Sequence, residues 1–132
     1  MYYFSTKVEL PIDKAVDKLR ETLQAHKLGI VSDVNVQAIF KAKLGEESPG
    51  YRILGACAPK LAKRVIDAEA EGGTLLPCTV VVREADGYTM IDFMDPEVVL
   101  GLANNAEIDE TARNAKVMLQ QVRDELSKNY GG

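Results

Sequence analysis

The sequence predicts an α+β fold: an antiparallel sheet of about five strands covered by helices, with the elements in the order β-α-β-α-β-α-β-β-α-α. Three observations carry this reading. Residues 2–9 and 88–94 alternate with the period of two that marks a half-buried strand. Residues 12–23 and 108–126 place apolar side chains at alternating four and three spacing, the period of a helix. Asp86-Gly87 between two apolar runs is a strong short-range hairpin signal.

Taken in order, Tyr2, Phe4, Thr6 and Val8 share one side of the first strand. Pro11 suits the first turn of a helix whose stripe is Ile12, Val16, Leu19 and Leu23, with Gly29 as its stop. His26 extends that stripe at the last turn, where packing or capping is the expected role, because no nucleophile or carboxylate stands beside it in sequence. Residues 29–34 read as a strand. Asn35 then caps a short helix carrying Val36, Ile39, Phe40 and Leu44 and closing at Gly45. Pro49-Gly50 turns the chain into a strand over 51–57.

Pro59 opens the next helix, read as running to Gly72-Gly73, with Leu61, Ala62, Val65 and Ile66 as its apolar side chains. Val80-Val81-Val82 suggests a strand buried on both faces or central in the sheet, and its hairpin partner alternates Thr89, Ile91 and Phe93 against Met90, Asp92 and Met94. Asp95-Pro96 is a cap and first helical residue. The last helix carries Ile108, Ala112, Ala115, Leu119, Val122 and Leu126 toward the sheet, with Asp109–Arg113 and Asp124–Lys128 as supporting pairs.

Composition bounds the function. At 132 residues, with 46% apolar and 27% charged, the chain reads as one globular domain, residues 1–132. A net charge of −4 and scattered basic residues argue against nucleic acid as a partner, since phosphate binding needs clustered Lys and Arg. No apolar run approaches the roughly 18 residues of a membrane span, and the first residues lack a secretory pattern, so a cytoplasmic protein without a membrane partner is expected. P-loop, dinucleotide-binding, nucleophile-elbow and zinc-protease signatures are missing, so no catalytic residue and no cofactor is assigned. A single histidine and two cysteines outside any paired zinc spacing leave no metal site assigned, and free thiols are expected.

The candidate site lies at the strand ends around Cys57 and Cys78. Gly55 belongs to it because a glycine inside a strand admits a close approach, by a ligand or by packing. Asp95 joins as a polar group after a strand, with plain capping as the alternative.

Tyr51-Arg52-Ile53-Leu54-Gly55-Ala56-Cys57 with Pro59-Lys60-Leu61-Ala62, then Leu75-Leu76-Pro77-Cys78 with Val80-Val81-Val82, then Met94-Asp95-Pro96, together resemble the domain-of-unknown-function 302 family. The resemblance implies a compact α+β domain similar to the TATA-binding-protein-like group of folds, and a homodimer; it implies no activity. It allows the strands ending at Cys57 and beginning at Cys78 to be neighbours, which would bring the thiols together. Where that family usually has asparagine after each cysteine, this chain has Ala58 and Thr79. Three functions stay open: a domain binding a small molecule or metal near the Cys57 and Cys78 strand ends, a thiol-dependent redox protein or enzyme, and an interaction module whose cysteines are structural.

Overall fold

A computed structural model describes the whole chain, residues 1–132. Five strands, β1 (Tyr3–Val8), β2 (Gly29–Asn35), β3 (Tyr51–Cys57), β4 (Cys78–Ala85) and β5 (Tyr88–Met94), form one antiparallel sheet in the order β1-β5-β4-β3-β2. Five helices separate or follow them: α1 (Ile12–Ala25), α2 (Val36–Leu44), α3 (Pro59–Ala68), α4 (Pro96–Gly101) and α5 (Ala106–Tyr130). The predicted fold class and element order hold.

The strand pleat decides which side of the sheet is covered. Val8 of β1, Ile91 and Phe93 of β5, Val80 and Val82 of β4, and Leu54 and Ala56 of β3 all point to one face, where Val16, Leu19 and Leu23 of α1 and Leu119, Val122 and Leu126 of α5 meet them in a single buried cluster. The predicted stripe of α5 is buried along its whole length. Phe93 lies at the centre, fully buried, its ring stacked on Phe4 with centroids 5.5 Å apart. Thr89, a buried polar side chain of the same face, is satisfied by donating its hydroxyl to the Leu10 carbonyl at 2.6 Å. A smaller cluster of Val65, Leu100, Ile108 and Ala112 ties α3 and α4 to α5.

The opposite face of the sheet is open. Val81 points there rather than into a second core, so the three-valine run is buried on one face only, at Val80 and Val82, and it marks β4 as the central strand of the sheet. Helix α2 is capped at both ends, by the Asn35 side chain accepting from the Ala38 amide at 3.0 Å and by Gly45 in the left-handed region, yet it buries no residue; Ile39, Phe40 and Leu44 are exposed.

Other departures are local. Helix α3 stops at Ala68, because Glu69 is extended, and a 3-10 turn over Ala70–Leu75 replaces the expected last turn. The strand β2 carries a bulge between Ile30 and Ser32 that leaves Val31 outside the register and exposed. Asp124 accepts from Arg123 at 2.9 Å instead of Lys128. No helix is long and apolar enough to cross a membrane.

Because Phe93 fills the centre of the covered face, Phe93→Ala should lower the unfolding free energy by about 3–5 kcal/mol, read from the denaturant midpoint at unchanged slope.

Candidate functional site

The register places the sequence-predicted residues at one end of the sheet. Cys78 opposes Ala56 on β3. Val80 opposes Phe93, which puts Cys78 level with Asp95 just beyond β5, and the Asp95 amide donates to the Tyr2 carbonyl at 2.8 Å, so the row continues to the β1 edge. One residue inward, Gly55 opposes Thr79.

Cys57 and Cys78 are both free thiols, both half-buried, and leave neighbouring strands one residue out of register. They line the same cavity of about 20 Å³, walled by Leu28, Leu61, Val65, Leu76, Leu100 and Leu119 among others. Such a space holds about one water and no organic ligand. Burial raises the Cys57 thiol above its usual pKa; burial, followed by the proximity of Cys57, pushes Cys78 up to about 11. The start of α3 beside Cys57 thus leaves neither sulfur a ready thiolate. Ala58, at the cap position of that helix, offers no side-chain acceptor.

Asp95 is committed on both carboxylate oxygens. Oδ1 accepts from the Glu97 amide at 3.0 Å, capping α4, and Oδ2 pairs with Lys116 Nζ at 3.0 Å. Its capping role holds. Gly55 is small because a Cβ there would overlap the Ser32 hydroxyl and the Pro77 ring, so the close approach is made by the protein's own side chains. His26 caps the end of α1, and its Nε2 lies 2.8 Å from Glu125 of α5, a partner supplied by the tertiary fold. No group of three or more His, Cys, Asp or Glu side chains converges in a way that could hold a metal ion.

A wider concavity than the thiol cavity lies on the open face. Tyr2, Tyr3, Tyr51, Thr79, Val81, Arg83, Asp92 and Met94 line a basin of about 380 Å³. It shares Tyr51 and Arg83 with an adjoining hollow of about 520 Å³ that reaches Val36 and Phe40 of α2 and Ile53 of β3. At its floor Asp92 accepts from Arg83 Nε at 2.7 Å and from the Ser5 hydroxyl at 2.6 Å. The hydrogen bond to Asp92 holds the Arg83 guanidinium still further above its already high range. Tyr2 and Tyr3 meet edge to face at 5.0 Å along the rim. The sequence signal for this basin is the outward parity of Tyr3 and Val81, whose inward neighbours Phe4, Val80 and Val82 are apolar.

Comparison with known proteins adds the following. The sequence model of the family described as "Domain of unknown function DUF302" matches residues 4–126. The crystal structure of an uncharacterized conserved DUF302 protein from Bacillus stearothermophilus superposes with a TM-score of 0.89 at 25% identity, covering 96% of this chain and 98% of that chain. No curated protein matches.

With iodoacetamide on the folded protein, both thiols should react more slowly than after unfolding, with Cys57 ahead of Cys78. The Cys78 rate should keep climbing with pH until about 11, well past the 9.0 of an unperturbed thiol; a Cys78 rate that levels off below pH 8 would show a thiolate that the buried setting does not provide.

Proposed function

The chain belongs to the DUF302 family of unknown function, and on that premise we propose that it is a small binding domain whose ligand site is the open-face basin, beside the strand ends that carry Cys78 and Asp95. One observation carries the reading. The basin, at about 380 Å³, lies in the range of roughly 300–1,000 Å³ that organic ligands occupy and joins aromatic walls to the Arg83–Asp92 pair on its floor, whereas the cavity between the thiols is about 20 Å³. Its walls supply aromatic and aliphatic surface with few polar groups, the usual make-up of such sites. The cysteines then serve as packing on the helix side of the same strand ends, with thiols protonated by burial.

A second copy of the chain is the partner that fits α2. Nine residues are fewer than the roughly 12–15 at which an isolated helix becomes even marginal, so a helix that buries nothing in its own chain gains order from a cover over Ile39, Phe40 and Leu44. A two-fold contact presents the same patch from both protomers, which makes the homodimer self-complementary in apolar surface.

The neutral dye N-phenyl-1-naphthylamine should brighten with single-site saturation on the folded protein. Val81→Lys, which sets a charge in the basin floor, should weaken that binding by about tenfold or more, equivalent to ~1.4 kcal/mol; equal binding by both proteins would remove the basin as the site. In light scattering over a concentration series, the native chain should weigh as a dimer and Phe40→Asp as a monomer. A native chain that stays monomeric at the highest concentration would remove the α2 contact.

A further inference from the structure

We infer that the ligand of the open-face basin is a small organic carboxylate with an aromatic or otherwise apolar body, held through Arg83; this rests on the basin being the binding site. The charges in the basin are asymmetric in what they leave free. Asp92 has one oxygen taken by the Ser5 hydroxyl at 2.6 Å and the other by Arg83 Nε at 2.7 Å, and its side chain is only 18% exposed. It is therefore a spent acceptor. Arg83 uses Nε alone within the chain, so the edge formed by its two Nη groups remains open, and its side chain is 37% exposed.

A guanidinium held in plane by one carboxylate and open along its Nη edge matches a second carboxylate in two parallel hydrogen bonds. Asp92 fixes that plane before any ligand arrives, which removes part of the ordering cost of binding. The Thr79 hydroxyl on the same wall supplies a further donor. A cationic ligand would find the basin's one carboxylate already engaged and a guanidinium repelling it. A multiply charged phosphate would have a single cation to meet in a chain of net charge −4. The remaining walls, Val81, Met94 and the tyrosine rings, take an apolar or flat body by area and stacking.

The test uses the full chain and two near-isosteric probes, 1-naphthoate and the neutral 1-naphthamide, in calorimetric titrations at low salt. The native protein should bind the acid at least about tenfold more tightly than the amide, the equivalent of one well-placed ion pair. Arg83→Gln should abolish that preference while leaving the amide affinity within about twofold. Equal binding of the two probes by the native protein, or a preference that survives Arg83→Gln, overturns the carboxylate while leaving the basin in place. Failure of both probes, together with failure of the neutral dye, overturns the basin itself.

Discussion

Everything in this molecule follows from the sheet being covered on one side only. Helices α1 and α5 lay their stripes across the inward residues of β1, β5, β4 and β3, and the fully buried Phe93, Leu19, Leu119 and Leu126 make that contact continuous. Burial of such side chains contributes roughly 1.5–3 kcal/mol each, so this seam is where most of the stability resides. The pleat then leaves the alternate residues of the same strands on a face that only α2 adjoins, at its β3 side. Core and open face are two sides of one set of strands, and the inward residues cannot shift register without moving the outward ones with them.

The fold was legible because local signals agreed with one another. The alternation of Thr89, Ile91 and Phe93, the Asp86-Gly87 turn, the Asn35 cap with Gly45 as stop, and the stripe of α5 each specify an element without help from the rest of the chain. What failed were inferences about partners across space. The valine run of β4 marked its central place in the sheet, but Val81 reads like its neighbours Val80 and Val82, and nothing in the sequence tells that its side of the sheet is the open one. The apolar residues of α2 have helical spacing, which predicts a buried face, yet the fold leaves Ile39, Phe40 and Leu44 exposed. Glu125 opposite His26 and Lys116 opposite Asp95 come from α5, far away in sequence.

The candidate site shows the same division. That Cys57, Cys78, Gly55 and Asp95 gather at one end of the sheet follows from register, and the sequence marked all four. Their chemistry depends on what surrounds them: a 20 Å³ apolar cavity for the thiols, the Pro77 ring against Gly55, and two donors on Asp95. Thr79, where the resembled family usually has asparagine, turns out to line the basin, so this departure alters a wall of the open face and leaves the thiol cavity untouched.

The bulge in β2 has a bearing on how such a molecule avoids associating with itself in the wrong way. An edge strand offers a ladder of free amides and carbonyls on which another chain can template, and the interruption at Val31 breaks that ladder a third of the way along, next to Asp33, which Arg52 holds in an ion pair. Growth of the sheet by strand addition is thereby discouraged at this edge. A contact between copies made through side chains on a face would instead stop at a closed pair rather than continue as a fibre.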